Sequence, residues 1–279
     1  MAALRRYKRR IALLVGLADL GGVWPTEETL RAMSMAADKA VDQAVKFLFR
    51  RAHAAGQIVG ASLAAPRGYF VIAMGKLGGR ELNYSSDIDI IVFYDADQAG
   101  LAPDIEPSDF FVRLTRELVR LLQEHTGDGY VFRTDLRLRP DPGATQVALS
   151  TDAGLSYYES FGQNWERAAL IKARVIAGDI EAGEEFLRQL APFIWRKYLD
   201  FAAVADIYAM KRQINAYRGH GEIAVEGHNI KLGSGGIREI EFFAQTQQLI
   251  AGGRNPGLRD RDTLTTLDKL CEDKWIDEA

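Results

Sequence analysis

Two hydrophobic periodicities divide the chain. Through residues 4 to 64, apolar positions recur at helical spacing. Pro25 and Thr26 open a helix with Glu27 and Glu28 in its first turn, where acidic side chains suit the positive end of the helix dipole. Leu30, Met33, Ala37, Val41, Ala44, Val45 and Leu48 then make one apolar stripe, the signature of a packing face. Pro66, Arg67 and Gly68 end this texture. Tyr69 to Met74 and Ile88 to Tyr94 are short apolar runs rich in β-formers, with a polar, glycine-containing turn between them. Residues 108 to 125 return to helical spacing, with Phe110, Phe111, Leu114, Leu118, Leu121 and Leu122 on one side. Tyr130 to Leu138 alternates as a strand until Pro140-Asp141-Pro142-Gly143 stops it. From about Leu155 the spacing is helical, broken by Gly233-Ser234-Gly235-Gly236 before a helix beginning near Ile237. This order predicts an α+β fold with a small sheet. It gives a helical N-terminal segment over 1–65, a core over 66–150 and a helical subdomain over 151–279.

Composition narrows the class. The chain has 279 residues, 47% of them hydrophobic, enough to bury a substantial core. A net charge of -3 gives no basis for non-specific binding to nucleic acid or to an acidic membrane. The single cysteine, Cys271, has no partner for an internal disulfide, which fits a reducing, cytoplasmic compartment. His53, His125, His220 and His228 lack metal-ligand spacing, which argues against a zinc site. At the N-terminus, Arg5, Arg6, Lys8, Arg9 and Arg10 precede the apolar run Ile11 to Leu17 in the manner of a signal peptide. Asp19 interrupts that run and no small-residue cleavage site follows, so a basic amphipathic helix is expected instead. No stretch is long enough to cross a bilayer.

The candidate chemistry lies between the two apolar runs. Asp87 and Asp89 sit at the start of a strand, so both carboxylates share one face while Ile88 and Ile90 take the other. Two acids so close repel each other, and a divalent cation relieves that repulsion. Gly78 and Gly79 would let backbone amides approach a phosphate. The Gly75-Lys76-Leu77-Gly78-Gly79 segment lacks the Gly-Lys-Ser/Thr ending of a P-loop. In Arg133-Thr134-Asp135-Leu136-Arg137-Leu138-Arg139 the odd positions form a charged row with one acid, Asp135. Beside an Asp-x-Asp strand, that row reads as a third metal ligand flanked by phosphate-binding arginines, Arg137 and Arg139. An Asp-x-Asp alone is commonly a pair of solvated turn residues, and the row alone could be a surface strand with ion pairs. Three carboxylates from two strands suit two metal ions about 3.5–4 Å apart, which clamp the attacking and leaving oxygens of a displacement at phosphorus.

Two further segments admit more than one reading. Lys231-Leu232-Gly233-Ser234-Gly235-Gly236-Ile237-Arg238 leads into a helix, where free amides with Lys231 and Arg238 would favour an anion; a glycine-capped interhelical turn has the same pattern. Trp165-Glu166-Arg167 and Lys172-Ala173-Arg174 are expected on a helix, as a solvated, ion-paired face.

Together these segments resemble one family, the bifunctional glutamine synthetase adenylyltransferase/adenylyl-removing enzyme. The resemblance rests on Gly75-Lys76-Leu77-Gly78-Gly79-Arg80-Glu81-Leu82-Asn83-Tyr84-Ser85-Ser86-Asp87-Ile88-Asp89. In order after it come Phe132-Arg133-Thr134-Asp135-Leu136-Arg137-Leu138-Arg139-Pro140, then Trp165-Glu166-Arg167 with Lys172-Ala173-Arg174, then Gly235-Gly236-Ile237-Arg238-Glu239-Ile240-Glu241-Phe242. It implies a nucleotidyltransferase (polymerase-beta-like) fold, with the helical subdomain completing an active-site cleft. It implies Asp87, Asp89 and Asp135 as catalytic acids binding Mg²⁺ or Mn²⁺, two ions in all. Gly78, Gly79 and Ser86 would belong to the phosphate-cradling motif, with Arg137, Arg139, Lys231 and Arg238 as further phosphate contacts. The family carries two related halves. One attaches AMP to a tyrosine of glutamine synthetase from ATP. The other removes it with inorganic phosphate, releasing ADP, in the control of nitrogen assimilation. The Ser85-Ser86-Asp87-Ile88-Asp89 version and the later motifs resemble the removing half. Family members are about three times longer, so the chain resembles an excised domain. The partners implied are adenylylated glutamine synthetase, inorganic phosphate, ADP or ATP, and a PII-type signalling protein, with no nucleic acid and no membrane. The rivals are ATP-dependent adenylylation on the same scaffold, and a non-catalytic module that binds nucleotide or PII.

Overall fold

A computed structural model of the chain describes residues 2–59, 66–197, 229–231 and 233–276. They fall into two compact units, Met1–Phe161 with Lys172–Leu190, and Gly162–Ile171 with Ala191–Ala279.

The first unit opens with helices α1 (Ala2–Leu20) and α2 (Thr26–Ala54), which pack on each other. The expected stripe on α2 is buried at Met33, Ala37, Val41, Ala44, Val45 and Leu48. The helix does not run to residue 64, however. Gly56 takes φ +72°, and the amides of Gly56 and Gln57 turn back to His53 O and Ala52 O, closing the helix by satisfying its last carbonyls. Residues 60–64 of that expected helix lie outside the described residues.

The sheet follows in order β1 (Tyr69–Ala73), α3 (Gly75–Gly78), β2 (Ile88–Tyr94), α4 (Pro107–Gln123), β3 (Thr134–Asp135), β4 (Leu149–Ser150), α5 (Thr151–Ser160), α6 (Asn164–Leu170), β5 (Arg174–Gly178) and α7 (Ile180–Ile194). Its strand order is β3-β2-β1-β5, with β4 also on β2. β1 is antiparallel to β2 and β5, while β2 is parallel to β3 and β4, so the sheet is small and mixed. This is the α+β arrangement that the sequence pattern predicts. One face of the sheet carries Tyr69, Val71, Ala73, Ile88, Ile90 and Val92 into a core with α2 and α4. On the other face Phe70 and Phe93 meet Phe186 of α7, with ring centroids 4.4 Å apart for Phe93 and Phe186. Helices cover both faces, which is why β1 is buried at every position.

Two sequence expectations need correction. Tyr130 to Leu138 is not one strand: only Thr134 and Asp135 pair with β2. Beyond them the chain turns, with Arg139 N–H on Leu136 O at 3.3 Å, and β4 takes the next stretch of that β2 edge. The second half is also not all helical. Arg174–Gly178 is a strand paired with β1, and its register shifts between Val71 and Ile72.

In the second unit, α6 packs on the helix Ile237–Ala251, which is followed by a 3-10 turn at Pro256–Leu258 and the helix Thr263–Glu272. The buried Gln248 joins them through its Nε2, donating to Leu258 O, Asp260 O and Thr266 Oγ1. The helical reading of residues 198–228, with His220 and His228, lies outside the described residues. Among those described, no helix is long and apolar enough to cross a membrane.

Candidate active site

Pairing between β2 and β3 sets the geometry of the acids. In that parallel register Asp89 lies directly opposite Asp135, and Ile88 opposite Thr134. Asp87 stands just before the first residue of β2, two positions from Asp89. Two strands that pair over only a few residues therefore bring all three predicted acids to one end of the sheet. Asp87 is exposed, while Asp89 and Asp135 are half-buried.

Arginines already hold two of these carboxylates. Arg133 Nε donates to Asp87 Oδ1 at 2.5 Å, and its Nη2 donates to Ser85 O at 2.5 Å. Arg137 grips Asp135 with Nε on Oδ2 at 2.8 Å and Nη2 on the same oxygen at 2.5 Å; its own amide donates to Oδ1 at 2.8 Å. The bonds from Arg137 outweigh the burial of Asp135 and hold its carboxyl below the usual carboxylate range. Arg133 was not singled out from the sequence as a site residue. Its place two residues before Asp135, at the mouth of the same strand, was the available signal. It also lines a cavity of about 400 Å³ with Arg116 and Arg120.

The glycine segment sits beneath Asp89. Met74 N–H donates to Asp89 O at 2.9 Å. Gly75 takes φ +51°, a conformation that favours glycine, and a methyl there would stand 3.0 Å from Asp89 Oδ2, a tight contact. Gly78 and Gly79 are buried, and their amides donate to Met74 O and Gly75 O, each at 3.0 Å. Their first role in this structure is thus packing within α3. Ser86 Oγ donates to Asn83 Oδ1 at 2.8 Å in the turn that leads into β2.

Arg139 does not share the row of Arg137. Its guanidinium donates to the carbonyls of Leu136, Pro142, Thr145 and Gln146, at 3.0, 2.7, 3.2 and 3.0 Å. Burial lowers its pKa. Arg139→Ala leaves several carbonyls short of a donor and should cost about 2 kcal/mol. The check is chemical denaturation, where a midpoint unchanged from wild type would mean that water replaces the clamp.

Lys231 and Arg238 belong to the second unit, and both are exposed. Lys231 N–H donates to Asn229 Oδ1 at 3.1 Å, and Arg238 N–H to Lys231 O at 3.2 Å. At this helix start Gly235 N–H donates to Glu239 Oε2 at 2.8 Å, so an acid of the helix itself meets one of the amides considered for an anion.

The reading of Trp165-Glu166-Arg167 and Lys172-Ala173-Arg174 as a solvated face is overturned. Glu166, Arg167, Lys172 and Arg174 are all buried, and Arg167 is 0% exposed. Arg167 donates to Phe193 O, Ile194 O and Asn164 Oδ1. Glu166 closes a capping box with Gln163 at the start of α6. Long-range partners turn Arg167, Lys172 and Arg174 inward, and helical periodicity carries no trace of them.

The donor chemistry and the register fit a divalent cation: three carboxylates, two of them direct cross-strand neighbours, with no Cβ on Gly75 to crowd Asp89. With Asp87 bonded to Arg133 and Asp135 to Arg137, no three His, Cys, Asp or Glu among the described residues converge closely enough to hold an ion.

Residues 1–189 match the family described as glutamate-ammonia ligase adenylyltransferase, and residues 208–279 match the family described as GlnD PII-uridylyltransferase. Similar curated proteins bear the name bifunctional glutamine synthetase adenylyltransferase/adenylyl-removing enzyme. That of Bradyrhizobium sp. (strain ORS 278) is 60% identical over 99% of this chain and 28% of its own length. That of Rhodopseudomonas palustris (strain ATCC BAA-98 / CGA009) is 59% identical over 99% and 28%. That of Rhizobium meliloti (strain 1021) is 59% identical over 100% and 29%. The chain thus spans under a third of the length of these relatives.

Proposed function

This chain belongs to the glutamate-ammonia ligase adenylyltransferase family, and from that premise we propose that it is the adenylyl-removing half of such an enzyme. Its sheet would be a nucleotidyltransferase (polymerase-beta-like) core formed by residues 66–150 with β5 added. It would act on adenylyl-tyrosine of glutamine synthetase. The observation that carries the reading is the cross-strand pair of Asp89 and Asp135, with Asp87 just before the start of the same strand and Gly75 close to Asp89.

In this reaction an oxygen of inorganic phosphate forms a bond to the adenylyl phosphorus. The bond from phosphorus to the tyrosine oxygen breaks, ADP leaves, and the tyrosinate takes up a proton. With an unperturbed pKa near 10, a tyrosine is a fair leaving group. Asp87, Asp89 and Asp135 would hold Mg²⁺ or Mn²⁺, which when bound supplies charge neutralisation at the phosphoryl oxygens. Arg133 and Arg137, which in this structure bond Asp87 and Asp135, would contribute positive charge beside the same acids and, once those carboxylates held the cation, would turn their forked donors to phosphate oxygens. The match of residues 208–279 to a PII-uridylyltransferase family supports a PII-type protein as a regulatory partner.

Direction is the finer part of the proposal, because the same acids stabilise either direction of an in-line transfer. Its support is the Ser85-Ser86-Asp87-Ile88-Asp89 form of the motif with the later segments. Incubated with adenylylated glutamine synthetase and Mg²⁺, the chain should release ADP only when inorganic phosphate is present. It should attach no AMP to unmodified glutamine synthetase when given ATP. Label leaving as AMP, or incorporated from ATP, would overturn the direction and leave the fold assignment standing.

A further inference from the structure

Lys172 and Arg174 enter the first unit from the start of β5 and converge on one target. Arg174 lies opposite Ala73 in the β1–β5 register, just before the Met74-Gly75 turn. Its side chain therefore reaches the segment that follows β1. Arg174 Nη2 donates to Leu77 O at 2.8 Å and Nε to Gly78 O at 3.2 Å, while Nη1 and Nη2 grip Asp38 of α2 at 2.7 and 3.0 Å. Lys172 Nζ donates to Glu81 Oε2 at 2.6 Å. The main chain joins in: a methyl on Gly78 would lie 1.9 Å from Lys172 O. Two side chains and one carbonyl from a three-residue segment thus fix residues 77–81.

We propose that Lys172 and Arg174, with Glu81 and Asp38 as their counter-charges, are positioning residues that lock the Gly75–Glu81 loop against Asp89. The proposal rests on the reading of Asp89 as an acid of the active site.

Three physical points carry it. The carbonyls ending a four-residue helix have no partner within that helix; Leu77 O accepts from Arg80 N–H at 3.2 Å, and Arg174 adds a second, buried donor there and one to Gly78 O. Arginine can do so while holding a carboxylate, because its planar fork offers five donors in fixed directions. Lys172 is 2% and Arg174 9% exposed. Buried ion pairs are poor devices for stability alone, since apolar replacements of similar volume commonly do as well; what they supply is a defined placement of the groups they join. Here the placed group is the loop bearing Gly75, where an added Cβ would stand only 3.0 Å from Asp89 Oδ2. A loop that drifts would change the floor on which that carboxylate rests.

The test uses the whole chain with Arg174→Gln, Arg174→Lys and Asp38→Asn. Native-state hydrogen exchange is read at the amides of residues 78–81 and across the β1–β2 ladder. In Arg174→Gln the loop amides should exchange at least about tenfold faster while the ladder keeps wild-type protection, the pattern of local rather than global opening. Arg174→Lys keeps the charge but not the fork, so it should recover thermal stability without recovering loop protection. If Arg174→Gln fails to fold, Asp38→Asn, which leaves the loop carbonyls bonded, carries the test with the same pattern at smaller amplitude. In phosphorolysis, kcat should fall roughly ten- to a hundredfold with KM for adenylylated glutamine synthetase little changed. Uniformly faster exchange over loop and ladder, with kcat unchanged in the folded variant, would reduce the clamp to a structural ion pair and overturn the proposal. Wild-type chain inert toward adenylylated glutamine synthetase, with the loop still freed in Arg174→Gln, would sink the proposed function and leave the clamp. Active wild type with an equally active, equally protected Arg174→Gln would do the reverse.

Discussion

Asp89→Asn should reduce phosphate-dependent ADP release by roughly three orders of magnitude or more, since positioning and charge neutralisation supply most of the rate in phosphoryl chemistry. The fold should survive. The substitution is isosteric, and the backbone oxygen of Asp89 still accepts from Met74 N–H. Ile88 and Ile90, which hold the strand in the core, are untouched. The melting temperature should therefore stay within a few degrees of wild type while turnover disappears. Asp135→Asn should behave alike in turnover, being the cross-strand neighbour of Asp89. An Asp89→Asn variant with full activity would remove this carboxylate from the mechanism. One that lost activity only by unfolding would show that the pair with Asp135 is a structural feature of the sheet end.

The two central strands were legible because their apolar runs are short, β-branched and bounded by turns, and both faces of the sheet are covered. The expected stripe on α2 was legible for a different reason: a single buried face imposes a single period. What escaped was structure set by distant partners. The alternation of Tyr130 to Leu138 has the right period, yet only two residues find a free edge of β2, because β4 occupies the next stretch and Arg139 gathers the following carbonyls into a loop. β5 was hidden because Lys172 and Arg174 look solvated in isolation. Their counter-charges stand at Glu81 and Asp38, far away in sequence.

For the candidate site the same contrast holds at the level of single residues. The start of the strand at Ile88 and the place of Asp89 within it could be read from the apolar run alone, while Asp87 falls just outside the strand. Their arrangement with Asp135 needed the parallel register, and the pairing of Asp87 with Arg133 needed the turn at Ser85. Alternation predicts one charged face, but Arg137 and Arg139 serve different ends: the first binds Asp135, the second binds backbone.

Gly78→Ala should be among the most destabilising single-atom additions to the first unit, and it separates two roles for the glycine loop. A Cβ at Gly78 would lie 1.9 Å from Lys172 O and 2.9 Å from Ala73 O, both main-chain atoms that no rotamer change can move aside. Backbone must shift against a strand paired on both edges. Forced overpacking of this kind costs about 3 kcal/mol, which for a unit of this size lowers the melting temperature by roughly 6–12 °C. Gly127→Ala is the matched control: nothing lies within 4 Å of its added methyl. It should change stability by less than about 0.5 kcal/mol, as surface substitutions usually do. If Gly78 is needed chiefly because a phosphate approaches its amide, the outcome differs: stability would hold and the demand for inorganic phosphate would rise. The amide of Gly78 already donates to Met74 O within α3, so the expected result is the loss of stability. Because Lys172 O is the atom struck, the damage should centre on the junction of β5 with the loop, and hydrogen exchange should find its greatest increase at residues 78–81. A Gly78→Ala protein as stable as wild type would mean that β5 can retreat from the loop, and it would undercut the packing on which the clamp by Lys172 and Arg174 depends.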